Sequence, residues 1–323
     1  MNVLLTGGAG YIGGAVARRL RAAGHAVVLV DDLSTGHRDT AAGFDLIEGD
    51  FADAALVGPA LRRHRTEAVV HMAAHCLVGE SMQRPAFYYE NNVTRSLRLL
   101  DLAVAAGVSR FVFSSSAAVY GEPERIPIDE DHPTLPTNPY GETKLAFERA
   151  LGWHAAAHRL AAVSLRYFNA AGATADGGHG ERHDPESHLI PNVLAAAAGG
   201  HPVEIFGSDY PTPDGTAVRD YIHIEDLAEA HRLALEAATT PGGARALNLG
   251  NGGGFSVLEV IEAARRVTGR PIEARQAARR PGDPARLVAS SALATRVLGW
   301  VPRHADLDTI LSSAWRFLEK RAR

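Results

Sequence analysis

The chain has 323 residues, 46% of them hydrophobic, a formal net charge of −4 and one cysteine. That length can bury a large core in one large or two smaller domains. The mild acidity offers nothing to nucleic acid or a membrane surface, a single cysteine excludes an internal disulfide, and no run approaches the ~20 apolar residues of a membrane span. With a first strand starting at residue 2 there is no space for a signal peptide, so a cytoplasmic location is expected.

Asn2 to Thr6 reads as a buried strand, followed by Gly7-Gly8-Ala9-Gly10-Tyr11-Ile12-Gly13 and an amphipathic helix from Ala15 to Ala23. A strand passing through a Gly-x-x-Gly-x-x-Gly turn into a helix makes room for a pyrophosphate, because glycines allow close backbone approach and the helix start supplies unpaired amides. A second strand, Ala26 to Val30, ends in Asp31, eighteen residues after Gly13, where a carboxylate can bind ribose hydroxyls and repel a 2′-phosphate. NAD is therefore expected over NADP, with His37 and Arg38 as nearby cations that could offset the acid.

Strands follow at Phe44–Asp50, Ala68–Ala74, Phe111–Phe113 and Ala161–Arg166, separated by helical patterns at Ala54–His64, Pro85–Ala106 and from Pro139 to His158. Continuously apolar strands alternating with helices imply a parallel sheet covered on both faces, a doubly wound Rossmann α/β fold. In such sheets ligands sit at the carboxyl ends of the strands, which directs attention to Asp50 and Phe51, to Ala73 and Ala74, and to the run Ser114-Ser115-Ser116.

Asn138 can cap a helix whose first residue is Pro139, and the spacing then puts Tyr140 and Lys144 on one face. A unit charge about 4 Å from a phenol is worth up to ~4 kcal/mol at an effective dielectric of about 20, enough to bring a phenol from about 10 toward ~7. Tyr140 would then be a general acid/base, with Ser116 sharing its proton. The bland alternative is a half-buried aromatic in a motif that arises by chance.

The glycine turn, the serine run, Tyr140-x-x-x-Lys144 and Leu165-Arg166-Tyr167-Phe168-Asn169 together resemble the UDP-glucose 4-epimerase group of the extended short-chain dehydrogenases/reductases. The similarity runs over essentially the whole chain. It implies NAD contacts at Gly7, Gly10, Tyr11, Ile12, Gly13, Asp31, Asp50, Phe51, Ala73, Ala74, Asn92, Ser114, Tyr140, Lys144 and Tyr167. It also implies UDP-sugar contacts at Ser116, Tyr140, Asn169, His188, Leu189, Phe206, Arg219, Arg280, Asp283 and Leu287. Arg219 and Arg280 match a pair that clamps the diphosphate, and Arg suits the task through its planar fork. The bland alternative for each of these charges is an ordinary surface residue, which two arginines far apart in sequence, both in family context, disfavour.

Two departures and one contrast refine the expectation. Cys76 stands where the family most often has a lysine, though Val78-Gly79-Glu80-Ser81 resumes the pattern; it reads as a small buried hydrophobe rather than a redox group. Ala117-Ala118 lack the acidic pair that the related 4,6-dehydratases use for elimination, so dehydration is disfavoured. Leu287 is intermediate between a tyrosine that admits only plain hexoses and smaller residues that admit an N-acetyl group.

The expected division is an NAD-binding Rossmann domain, residues 1–170 with about 220–250, and a smaller UDP-sugar-binding domain, residues 171–219 with 251–323. The implied reaction is 4-epimerisation of UDP-glucose and UDP-galactose through a 4-keto sugar, with NAD retained. The resemblance further implies a homodimer through a helix bundle formed by the helices near 85–106 and 139–158. Epimerases of other UDP-sugars and a non-catalytic NAD-sensing regulator are the rival readings. His183 and His188 lie near Asp184 and Glu186, but the spacing matches no compact ligand pattern, and no metal is expected.

Overall fold

The computed structural model describes residues 1–280 and 283–322; Pro281 and Gly282, between Arg280 and Asp283, and Arg323 lie outside them. The strands are β1 (Asn2–Thr6), β2 (Ala26–Asp31), β3 (Asp45–Glu48), β4 (Ala68–His71), β5 (Arg110–Ser116), β6 (Ala161–Tyr167), β7 (Asn169–Ala171), β8 (Val203–Phe206), β9 (Val218–Arg219), β10 (Tyr221–His223), β11 (Ala244–Leu249), β12 (Phe255–Ser256), β13 (Ala274–Ala277) and β14 (Arg286–Leu287). The helices are α1 (Tyr11–Ala22), α2 (Ala54–Arg63), α3 (Val78–Gln83), α4 (Pro85–Tyr89), α5 (Ser96–Ala105), α6 (Pro139–His158), α7 (Leu189–Ala197), α8 (Ile224–Ala237), α9 (Val257–Thr268), α10 (Ala292–Leu298) and α11 (Leu307–Ala322).

Seven strands form one sheet in the order β11-β6-β5-β4-β1-β2-β3, every neighbouring pair parallel. Alternate residues of β1 enter opposite layers: Val3 and Leu5 pack with Val16 and Leu20 of α1 and Leu227 of α8, while Leu4 packs with Leu99 of α5 and Phe147 and Leu151 of α6. A third core joins α7, α9 and α11 to β8 through Val193, Val203, Ile205, Val260, Ile261 and Ile310. β11 returns from the far part of the chain to the edge of the main sheet, beside β6.

The α6 start is as the sequence implies: Asn138 Oδ1 accepts from the Gly141 amide at 2.9 Å, with Pro139 in the first turn. Such a cap is worth about 1 kcal/mol. The helix expected over Pro85–Ala106 is instead interrupted: α4 ends at Tyr89, and Glu90–Arg95 is a π-helical turn before α5. The cause is Asn92, 2% exposed, which swings inward to bond the His75 backbone in both directions and Thr143 of α6. An inward polar residue widens the turn locally, a pattern common beside functional sites.

His71, His223 and His231 are buried and neutral. Burial lowers their pKa values to about 3, about 4 and about 4. A histidine whose folded pKa is depressed contributes stability that is complete above its unfolded value of about 6.5 and is lost as pH falls toward the folded value. Urea unfolding between pH 6.5 and 4 is therefore expected to lose stability steeply, each buried ring contributing up to about 1.4 kcal/mol per pH unit. His231→Leu, which removes a ring whose Nε2 has no partner, is expected to flatten that slope by about one proton.

Candidate active site

The first loop fits a pyrophosphate by exclusion. A Cβ on Gly7, which has φ +73°, would lie 2.7 Å from the Ala73 nitrogen, and one on Gly13 would lie 1.9 Å from the Gly7 carbonyl oxygen. Only glycine permits that packing. Gly10 precedes α1 without a capping side chain, and the first turn, containing Tyr11 and Ile12, has no acid to satisfy its amides. The helix start is thus open to an anion.

Asp31, at the end of β2, is held by the amides of Ala9 and Leu33, each at 2.9 Å. His37 bonds the Arg182 carbonyl and Arg38 pairs with Glu48, so the two cations suspected of offsetting Asp31 are engaged elsewhere. Asp50 accepts from the Ala52 amide at 2.9 Å and lies 3.5 Å from Arg95; the adjacent Phe51 is buried against His71. Ala73 and Ala74 follow the end of β4, half-buried. Asn92 lies beneath this edge, but its amide hydrogens go to His75 and Thr143 and its oxygen accepts from His75 and Asn91. These bonds tie the strand end to α6.

The serine run and α6 converge. Lys144, 3% exposed, donates to the Ser114 carbonyl at 2.7 Å, and its Nζ lies 4.9 Å from the Phe113 ring centre and 5.9 Å from that of Tyr140. Ser114 Oγ bonds the Tyr167 hydroxyl. Ser116 Oγ accepts from the Ala118 amide at 3.1 Å and acts to lower the Tyr140 pKa. Burial lowers the Lys144 pKa to about 8.

The expectation that Lys144 alone brings the Tyr140 phenol toward neutrality does not hold, because burial outweighs the ammonium. Burial is the largest influence on the phenol and raises its pKa, while the Ser116 hydrogen bond opposes weakly. The ammonium is one turn away, but it spends its bond on Ser114. Burial therefore favours the protonated phenol.

The second half of the predicted site assembles beside the first. β14 pairs with β9 so that Leu287 lies opposite Arg219. Arg219 pairs with Asp283, and Arg280 stacks on the Phe206 ring at 3.9 Å. Leu287 packs against the cluster of Val119, Tyr120, Ile128 and Leu145, of which Val119 and Tyr120 lie in the turn that follows Ser116. Asn169 donates its amide to the carbonyl of Asp220, the residue after Arg219. His188 precedes α7 with its side chain 47% exposed, and Leu189 begins that helix, half-buried. Cys76 is exposed rather than buried as expected, within electrostatic reach of His188 and Lys144.

A model of the NAD dependent epimerase/dehydratase family matches residues 3–250. A UDP-glucose 4-epimerase of Corynebacterium glutamicum is 53% identical over 319 residues, 98% of this chain and 95% of that protein. The chain belongs to the NAD dependent epimerase/dehydratase family. A crystal structure of UDP-glucose 4-epimerase from Brucella ovis in complex with NAD is 47% identical, with a TM-score of 0.94 over 98% of each chain. One from Bifidobacterium longum in complex with NAD+ and UDP is 37% identical, with a TM-score of 0.95 over 100% of this chain and 99% of that one. NAD is the family's cofactor, and the open helix start, the glycine cradle and Asp31 fit it.

Two positioning groups escaped the sequence reading. Glu148, one turn beyond Lys144, takes the Ser115 hydroxyl and a forked bond from Arg166 at 2.6 and 3.0 Å, both side chains 8% exposed. Helical spacing from Lys144 pointed to it. The chain Thr6–His71–Ser96, bonded at 2.7 and 2.8 Å, links the glycine strand to α5 and carried no sequence signal.

Proposed function

We propose that this chain interconverts UDP-glucose and UDP-galactose by inverting C4, with NAD held throughout the cycle. Residues 1–170 and 220–250 would carry the cofactor, and residues 171–219 and 251–323 the UDP-sugar. The observation that carries this reading is the junction at Leu287, which packs beside the Ser116 turn while its strand partner Arg219 and the Arg280–Phe206 stack stand ready for a nucleoside diphosphate.

Bound NAD supplies reversible hydride acceptance at C4 of the sugar. Lys144, Ser114, Tyr167, Asp31 and the amides at Gly10–Gly13 would hold it. Tyr140 takes the C4 hydroxyl proton, with Ser116 beside it; burial raises the phenol's pKa, and the Lys144 ammonium and the positive charge that bound NAD would supply oppose that rise. The Ser114 bond keeps the Lys144 ammonium fixed through both halves of the reaction. Arg219 and Arg280 grip the diphosphate, with Asp283 moving from Arg219 to a ribose hydroxyl. The sugar, held only at its UDP end, turns its other face and Tyr140 returns the proton.

Leu287 leaves more room than a tyrosine would at that position. This favours some turnover of UDP-GlcNAc beside the hexoses. Trp153 on α6, 79% exposed, and Tyr89 on α4, 41% exposed, are large apolar side chains left uncovered on the two helices through which a second copy would pack, giving a homodimer.

Purified protein given UDP-galactose and no added NAD is expected to form UDP-glucose, and Tyr140→Phe to lose roughly 10²- to 10⁴-fold in kcat. Wild-type inactivity with NAD still released on denaturation would move the substrate to another UDP-sugar. UDP-GlcNAc turnover, measured at high enzyme concentration, is expected to vanish in Leu287→Tyr while hexose turnover persists; no wild-type turnover removes that reading. Sedimentation is expected to give a dimer for the wild type and a monomer for Trp153→Arg, and a wild-type monomer refutes the interface.

A further inference from the structure

Between β7 and α7 the chain folds two carboxylates and two imidazoles onto one point. Glu181, His183, Glu186 and His188 present ligand atoms that all lie within 4.8 Å of one another. Glu181 Oε1 is 3.1 Å from His183 Nδ1 and 2.7 Å from His188 Nδ1, and the two Glu186 oxygens are 3.7 and 3.3 Å from the same nitrogens. Ligands about 2.1 Å from a tetrahedral ion stand about 3.4 Å apart. The four separations bracket that edge, and two of them, at 3.3 and 3.7 Å, are long for hydrogen bonds.

Two independent features mark the cluster as more than a set of surface ion pairs. His183 Nδ1 is buried and has no hydrogen-bond partner, although it faces both carboxylates. The carboxylates are also fixed in advance: Glu181 is 6% exposed, and Glu186 Oε1 accepts from the Ser187 and His188 amides at 2.8 and 2.9 Å. The imidazoles, 33% and 47% exposed, leave an entry path from solvent.

We propose that Glu181, His183, Glu186 and His188 form a binding site for a divalent transition-metal ion of the zinc type. Two imidazole nitrogens with two carboxylate oxygens suit zinc, whereas magnesium and calcium favour oxygen-only sets. The linear spacing gave no compact pattern; the folded loop supplies it. The ion would pin the loop beside Tyr11, whose ring lies 6.4 Å from that of His183, to the start of α7. Its link to the nucleotide wall at His188 and Leu189 rests on the proposed function, but ion binding itself does not.

A second group, His223, Glu225 and His304, serves as an internal control, because both His223 nitrogens are already bonded, to Ser313 and to the Glu225 amide. NAD-loaded protein, stripped with chelator and free of UDP-sugar, would be titrated calorimetrically with zinc chloride and separately with magnesium chloride. The expected result is one zinc per chain and no magnesium signal. Affinity should weaken at least about tenfold in His183→Ala and Glu186→Gln and stay unchanged in His304→Ala. Absence of stoichiometric zinc, or full retention in both loop variants, overturns the site. Should a variant misfold, anomalous scattering from zinc-soaked wild-type crystals decides, a peak anywhere but between these four residues being contradictory. Epimerase assays on the same samples keep the two readings apart, since zinc binding without hexose turnover leaves the site standing.

Discussion

A single buried ammonium organises the catalytic end of the molecule. Lys144 enters the protein with a full charge at 3% exposure, a placement that favours the neutral amine and pulls its pKa down to about 8. Around it stand the Ser114 carbonyl at 2.7 Å and the face of Phe113, while Cys76 and, less strongly, Glu148 one helical turn on oppose the effect of burial. Because the bond runs to Ser114 near the end of β5, it fixes α6 against the sheet and places Tyr140 beside the strand end that carries Ser116. Glu148 repeats the device from the other side, joining α6 to Ser115 and to Arg166 of β6. The buried Arg166–Glu148 pair is a matter of geometry more than stability, since such pairs often gain little over apolar packing, yet losing one partner costs about 3–5 kcal/mol.

The parts legible in the sequence were those governed by short-range rules. The glycine turn is forced by atoms: a Cβ at Gly13 has nowhere to go, so spacing alone announces the loop. The α6 start is equally local, depending on Asn138 and Pro139. Illegible were features set by distant partners. The π-helical turn at Glu90–Arg95 exists because Asn92 finds the His75 backbone and Thr143, contacts separated by 17 and 51 positions. The Tyr140–Lys144 spacing was read correctly as one face, but which partner the ammonium would choose was decided by the Ser114 carbonyl. The exposure of Cys76 likewise depends on how the loop after β4 lies, which composition does not encode.

The same architecture explains how one site can hold two ligands differently. The cofactor side is rigid, built from glycine packing, sheet ends and a wedge of buried hydrogen bonds from Thr6 to Ser96. The side proposed for the nucleotide is made of short strands, β9 and β14, and carries the Arg219–Asp283 pair. In the proposed function Arg219 exchanges Asp283 for a diphosphate, and the sugar is then tethered through UDP alone. A firm cofactor beside a sugar tethered only through UDP is what inversion at C4 by hydride removal and return requires.

The most direct test of that claim follows the C4 hydrogen itself. UDP-galactose carrying deuterium at C4 would be converted by the purified protein in ordinary water with only its own cofactor present, and the UDP-glucose formed would be examined by mass spectrometry and proton NMR. The account predicts that deuterium remains at C4 of the same molecule. Loss of the label to water would contradict it, because the hydrogen would then have left as a proton.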